Sequence, residues 1–73
     1  MAIFSERIKA LRSERGMTQE ALGKIIGVKQ DSIYTYEKGK NYPEVRNLII
    51  LADYFGVSID YLVGRTDNPE INR

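Results

Sequence analysis

Runs of apolar residues at three- and four-residue spacing cover most of this 73-residue chain, and a glycine follows each run. In the first run Phe4, Ile8 and Leu11 recur at positions i, i+4 and i+7, and Gly16 follows them. Alternation of β-branched and polar residues, which would indicate strands, is nowhere sustained. The pattern therefore predicts an all-α fold built from five short helices.

Capping residues and glycines define the boundaries of these helices. Thr18 and Ser58 are good N-caps, and Pro43 fits the first position of a helix. We expect one domain over residues 1–64, followed by a short flexible tail over residues 65–73. The predicted helices are about residues 3–15, a short helix between Thr18 and Gly27, about Lys29 to Lys38, about 44–55, and a short helix between Ser58 and Gly64.

Composition narrows the range of functions. The chain has neither cysteine nor histidine, so it lacks a disulfide framework, the usual zinc ligands and the usual general base. Carboxylates such as Asp53 and Asp60 have no evident nucleophile beside them, and we expect no metal, no cofactor and no enzymatic activity. No apolar run approaches the roughly 18 residues that span a bilayer, and residues 1–7 carry no secretion leader. We therefore expect a cytoplasmic protein without a membrane partner.

Two short helices joined by a tight turn occupy the centre of the chain. Helices that cross steeply within so few residues need a small residue at their contact and a flexible residue at the reversal, roles that suit Gly23 and Gly27. At about 100° per residue, the third helix points Asp31, Tyr34 and Thr35 outward. The expected shared core is Leu22, Ile26, Val28, Ile33 and Tyr36.

Several elements in this order resemble the phage repressor/Cro-like, or XRE-like, helix-turn-helix family, and the resemblance covers about residues 3–64. It implies a compact five-helix lambda-repressor-like DNA-binding domain that inserts its third helix in the major groove, as a dimer on a two-fold symmetric operator. The function it implies is transcriptional regulation, and we expect a repressor. The resemblance rests on Arg12, the run Met17-Thr18-Gln19-Glu20-Ala21-Leu22, Gly27-Val28, Ile33 with Tyr36-Glu37-Lys38-Gly39, Pro43, and Leu51-Ala52 with Phe55-Gly56-Val57-Ser58.

The resemblance also implies roles for individual residues in binding double-stranded DNA. Gln19 corresponds to a position that touches the DNA backbone or an outer base. Glutamine can bind adenine through two hydrogen bonds, and aspartate can accept from the amino group of cytosine. The base-facing positions correspond to Gln30, Asp31, Tyr34 and Thr35, and backbone contacts are expected from Thr18 at a helix N-terminus and from Lys29, Lys38, Lys40 and Asn41.

Arg12 and Glu37 stand where the family commonly pairs an arginine with a glutamate. Glu37 lies toward the inward side of the third helix. We interpret the two residues as a structural ion pair between the first helix and the third, and not as DNA-binding residues.

The fourth helix also carries apolar residues that we place away from the core. Its expected core face consists of Val45, Leu48, Leu51, Ala52 and Phe55. Ile50 and Tyr54 project nearly opposite that face, which makes them candidates for a homodimer contact, unless they only pack under a loop or the tail. The expected dimer interface combines them with Ile59, Tyr61 and Val63 of the last helix.

A second function from another class stays open. With 11 basic and 10 acidic side chains the net charge is +1, so affinity for DNA must come from the positions of the charges. Lys38 and Lys40 are equally compatible with an ordinary soluble surface, and Tyr42 either stacks on a DNA sugar or covers the core. The alternative function is a protein-interaction module, such as an antitoxin or a dimerising adaptor, with a regulatory protein partner.

Overall fold

A computed structural model describes residues 2–71, except for the side chain of Ala2. Five α-helices and no strands occur in this part of the chain, which confirms the predicted all-α fold. The boundaries differ from the predicted ones by at most one residue. The helices are α1 (Ala2–Glu14), α2 (Gln19–Ile26), α3 (Gln30–Glu37), α4 (Val45–Phe55) and α5 (Ile59–Val63).

Two of the helices begin at the predicted caps. The Thr18 hydroxyl accepts a hydrogen bond from the amide of Ala21 at 3.0 Å, and the Ser58 hydroxyl accepts one from the amide of Tyr61 at 2.9 Å. Pro43 does not occupy the first position of α4, because the helix begins at Val45. The proline lies two residues before the helix and is buried.

The turn between α2 and α3 depends on two glycines in the predicted roles. Gly27 adopts a left-handed conformation with φ of 76°, and its amide donates to the carbonyl of Gly23. A Cβ atom at Gly23 would lie 2.6 Å from the carbonyl oxygen of Val28, which is closer than real contacts allow. The absence of a side chain at Gly23 therefore lets the start of α3 pack directly against α2.

A single apolar core joins the helices. From α3 it receives Ile33 and Tyr36, whose burial leaves the other side of that helix free. Burial raises the pKa of Tyr36, and the charge of Glu44 raises it further. The buried apolar residues are Phe4, Ile8, Leu22, Ile26, Ile33, Tyr36, Leu51, Ala52, Phe55, Val57 and Leu62.

On α4 the predicted core residues Leu48, Leu51, Ala52 and Phe55 are confirmed, whereas Val45 as a core residue and the placement of Ile50 and Tyr54 opposite the core are wrong. Val45 is 70% exposed, whereas Ile50 and Tyr54 are half-buried and pack against the core. The residue that sequence reasoning overlooked is Asn47, which is buried. At about 100° per residue, Tyr54 and Ile50 lie within roughly 60° of Asn47, and Val45 lies on the opposite side. The buried face of α4 therefore extends to Asn47, Ile50 and Tyr54 and leaves Val45 at the surface.

Residues of α1 hold α5 and the segment that follows it. Arg7 donates hydrogen bonds to the carbonyl oxygens of Tyr61 and Thr66, and pairs with Asp67 at 2.9 Å. Farther along, the amide of Ser58 donates to the carbonyl of Pro69 at 2.9 Å. Residues 65–71 thus contact the domain, while the flexibility expected of residues 65–73 stays a prediction, and residues 72–73 lie outside the described part of the chain.

None of the helices within residues 2–71 combines the length and the apolar character needed to cross a membrane.

Gly64 sits at the contact between α5 and α1, and this contact can be tested. Its φ is 88°, and a Cβ atom there would lie 2.7 Å from Cγ2 of Ile3, whereas at Gly27, with φ of 76°, an added Cβ would meet no atom within 4 Å. In both Gly→Ala variants the free energy of unfolding falls by about 1–2 kcal/mol, because a Cβ atom disfavours the left-handed backbone. We expect Gly64→Ala to lose about 1–3 kcal/mol more through overpacking.

The measurement is urea unfolding followed by circular dichroism. Removing the side chain of Ile3 in the Gly64→Ala background should recover most of the excess loss. Equal losses for Gly27→Ala and Gly64→Ala would contradict the close approach of α5 to α1.

Candidate nucleic-acid interface

The predicted ion pair between Arg12 and Glu37 is present and connects α1 to the end of α3. Nε of Arg12 donates to Oε2 of Glu37 at 2.6 Å, and Nη2 donates to Oε1 at 3.0 Å. The third arginine nitrogen, Nη1, donates to the carbonyl oxygen of Met17 at 2.7 Å. The Glu37 side chain is only 4% exposed. The hydrogen bond to Glu37 raises the pKa of Arg12, and the charge of Glu37 adds to this effect against the opposing effect of burial.

A chain of hydrogen bonds leads from this ion pair to the surface. Nε2 of Gln19, the first residue of α2, donates to Oε1 of Glu37 at 3.1 Å. Nε2 of Gln30, the first residue of α3, then donates to Oε1 of Gln19 at 3.4 Å. The two predicted contact residues Gln19 and Gln30 are therefore adjacent, and the buried ion pair orients their side-chain amides.

The outward face of α3 carries the predicted base-facing residues. Gln30, Asp31 and Tyr34 are exposed, Tyr34 to 46% of its surface. Thr35 is half-buried, and its hydroxyl donates to the carbonyl of Ser32 at 2.9 Å, so its methyl group and not its hydroxyl proton is available for a contact. The ammonium of Lys38 lies 5.5 Å from the centre of the Tyr34 ring.

The residues expected to contact the DNA backbone flank this face. Lys29 precedes α3 without a side-chain capping bond, and Lys40 and Asn41 follow the helix in an exposed loop. Thr18 is exposed at the start of α2, where its hydroxyl already accepts the capping bond. Of the predicted contact residues, the structure brings Gln19 next to Gln30 and places Gln19, Tyr34 and Lys38 in one groove, and the roles of all of them stay predictions.

The five residues of the expected dimer interface do not form one exposed patch. Tyr54 packs edge-on against Phe55 with ring centres 5.2 Å apart, and the guanidinium of Arg7 lies 4.0 Å from the centre of the Tyr61 ring. Ile50 and Val63 are half-buried, and only Ile59 is exposed. The exposed apolar residues of α4 are instead Val45 and Ile49. A role for the five residues in dimerisation is untested by the structure, but this placement favours a surface around Ile49 and Ile59.

Sequence reasoning missed Lys9. This residue of α1 lines the same surface groove as Gln19, Tyr34 and Lys38. The available signal was its spacing from Arg12, because residues three apart lie on the same side of a helix. Within residues 2–71, no three His, Cys, Asp or Glu side chains are grouped as ligands for a metal.

Comparison with known proteins agrees with this architecture. A family model described as helix-turn-helix matches residues 8–62. The HTH-type transcriptional regulator YobD of Bacillus subtilis is 35% identical over 93% of this chain and 61% of its own length. The transcriptional repressor RstR of a cryptic Vibrio cholerae phage is 37% identical over 89% of this chain and 59% of its own length.

A solved structure closely matches the fold. The P22 c2 repressor, crystallised in complex with a synthetic operator, superimposes with a TM-score of 0.79 and 35% identity. The match covers 85% of this chain and 94% of that chain. The chain described here spans 61% or less of the length of the first curated relatives that it matches.

The fold, the α2–turn–α3 motif and these matches define a helix-turn-helix domain of the repressor type. The chain belongs to the phage repressor/Cro-like, or XRE-like, helix-turn-helix family.

Removing one partner of the Arg12–Glu37 pair should be more harmful than removing both. Arg12→Met leaves the buried Glu37 carboxylate without its cation, and we expect a loss of about 3–5 kcal/mol in the free energy of unfolding. The double variant Arg12→Met/Glu37→Met replaces the pair by apolar groups and should lose less. Urea unfolding of the two variants and of the parent protein measures both quantities.

The order of the two losses is the decisive result. A double variant at least as unstable as Arg12→Met would mean that the cost comes from lost packing and not from an isolated buried charge.

Proposed function

We propose that this chain binds double-stranded DNA in a sequence-specific manner as a transcriptional repressor, with α3 in the major groove. The observation that carries the proposal is the division of α3 into two faces. Ile33 and Tyr36 anchor it in the core, while Gln30, Asp31 and Tyr34 project from the opposite side. An exposed polar face on a firmly packed helix suits the major groove, whose width admits one α-helix. The related P22 c2 repressor was crystallised in complex with a synthetic operator, which supports the binding of this chain to DNA.

Base recognition by α3 follows from the orientation of Gln30. Its Nε2 donates one hydrogen bond to Gln19, which leaves the second amide hydrogen and the acceptor Oε1 available. This donor and acceptor pair matches N7 and the N6 amino group of adenine. Asp31 can accept from the amino group of cytosine, and Tyr34 and the Thr35 methyl group can contact a thymine methyl group.

Contacts to the phosphates position the domain without reading sequence. We assign them to Lys29, Lys38, Lys40 and Asn41, with the N-terminus of α2 at Thr18 as a further donor site. Because the net charge is only +1, a single copy neutralises few phosphates and binds weakly.

Dimerisation is the natural way to double these contacts, and we include a homodimer on a two-fold symmetric operator in the proposal. The surface that suits it lies around Ile49 of α4 and Ile59 of α5, two exposed aliphatic side chains that border the same depression. Such apolar groups on a small domain are stabilised when a second copy covers them.

Gln30→Ala should relax the base preference at one operator position by about 1–3 kcal/mol, because it removes a contact to a base edge. Lys40→Ala should weaken binding to all sequences alike, because it removes a contact to phosphate. The operator is first selected from a pool of random duplexes, and affinities are then measured for every single-base variant of it. Arg65→Ala, which removes an exposed cation of the segment after α5, serves as the control.

Uniform losses for Gln30→Ala across all base substitutions would overturn the assignment of α3 as the recognition helix. Binding to duplex that does not weaken with salt would reject the proposed function and favour a protein-interaction module.

Ile49→Ser should weaken self-association at least tenfold, because it places a hydroxyl at the centre of the proposed contact. Ile25→Ser is a matched control, since Ile25 is 41% exposed on α2 and Ile49 is 44% exposed on α4. Sedimentation equilibrium over a concentration series, with and without operator, gives both dissociation constants. If the parent protein stays monomeric up to about 100 µM, both with and without operator, the proposed dimer is rejected.

A further inference from the structure

An open groove of about 280 Å³ lies where α1, α2 and α3 meet, beside the outward face of α3. It contains one residue, Lys9, to which the contacts proposed above give no role. The groove is lined by Lys9, Arg12, Gln19, Tyr34, Glu37 and Lys38.

The side chains that line this groove carry more positive than negative charge. Glu37 is the only carboxylate among the six lining residues, and both of its oxygens already accept hydrogen bonds from Arg12, with Oε1 also bound by Gln19. Three cations and one carboxylate leave a net charge of +2 on the lining side chains. Within the described part of the chain, Lys9 takes part in no ion pair, and the ammonium of Lys38 contacts only the ring of Tyr34.

The groove also has the right position for a nucleic-acid backbone. Tyr34 and Gln19 form part of its lining, and both belong to the face that carries the proposed base contacts. A groove directly beside a recognition helix receives the phosphates that flank the bases being read. Lysine binds phosphate as a compact point charge with rotatable donors, so two ammonium groups can hold one phosphate from two sides.

We infer that Lys9 of α1 and Lys38 of α3 together bind one phosphodiester group of the DNA backbone. This inference rests on the proposed function and adds α1 to the contact surface. A phosphate held between Lys9 and Lys38 connects α1 to the C-terminal end of α3. It also lies next to Tyr34, whose ring supports the ammonium of Lys38.

The salt dependence of binding tests the role of Lys9. Each phosphate contact contributes about 0.9 to the slope of log affinity against log salt concentration. Because the two lysines share one phosphate, Lys9→Gln/Lys38→Gln should reduce the magnitude of this slope by about that amount per protomer on a random duplex. Lys9→Gln alone should reduce it by a smaller amount, and Lys9→Arg should retain it. Arg65→Gln removes one positive charge that does not line the groove and that pairs with Asp60 at 3.5 Å, and it serves as the control for the change in net charge. Lys9, Lys38 and Arg65 are exposed in the parent protein, and circular dichroism checks that the variants fold.

Replacing single phosphates of the operator by neutral groups identifies which phosphate the two lysines contact. A series of operator duplexes, each with one methylphosphonate linkage, is titrated with the parent protein and with Lys9→Gln. At one linkage the neutral group should weaken the parent protein severalfold, weaken Lys9→Gln and Lys38→Gln each by less, and leave the double variant Lys9→Gln/Lys38→Gln unchanged. Inorganic phosphate alone is titrated as a comparison.

The outcomes separate the inference from the proposed function. If the parent protein binds duplex with a clear salt slope while Lys9→Gln matches Arg65→Gln, the inference fails and the proposed function stands. If no linkage responds to both lysines, the shared phosphate is likewise rejected. Binding of inorganic phosphate that depends on Lys9, with no change in the duplex slope, would assign the groove to a free anion and overturn the inference. A parent protein without salt-dependent binding would reject the proposed function itself.

Discussion

The ion pair between Arg12 and Glu37 is the interaction on which the geometry of the candidate interface depends. It fixes the end of α3 to α1 through two hydrogen bonds, and its arginine also holds the carbonyl of Met17 just before α2. Because Gln19 donates to the same carboxylate, all three helices of the interface meet at Glu37. Charged groups with so little exposure are costly to separate, so the helices keep one relative orientation. The side chain of Gln30 is oriented in turn by its hydrogen bond to Gln19.

The domain forms this arrangement within a chain of 73 residues. It has no cysteine, so no disulfide supports the core, and the described residues hold no cluster of metal ligands. The α2–turn–α3 motif therefore relies on backbone contact, which the missing side chain at Gly23 permits. The same packing buries Ile33 and Tyr36 and leaves the opposite face of α3 polar and exposed. A helix that is rigid on one side and available on the other is the structural basis of the proposed DNA recognition.

The candidate interface was predictable from sequence to different degrees along the chain. The outward positions of Asp31 and Tyr34 on α3 were predicted correctly, because periodicity within one helix needs no knowledge of its neighbours, whereas Thr35 is half-buried. On α4, Val45 was wrongly placed in the core and Ile50 and Tyr54 opposite it, because the periodicity of apolar residues alone does not show that Asn47 is buried. Lys9 was missed because its importance lies in its distance from residues of two other helices. Local rules describe a single helix well, whereas the surfaces that helices form together require their packing.

The amino-acid sequence by itself determined the number of helices, their caps, the turn at Gly27 and the two faces of α3. These features depend on interactions between residues close in the chain, and the same residues carried the resemblance to the helix-turn-helix family. Only the tertiary structure decided which face of α4 is buried, that Gln30, Gln19 and Glu37 form one hydrogen-bonded chain, and that Lys9 stands beside Lys38. The physical reason is that side chains far apart in sequence compete for the same limited core volume, and the outcome of that competition sets which groups remain at the surface.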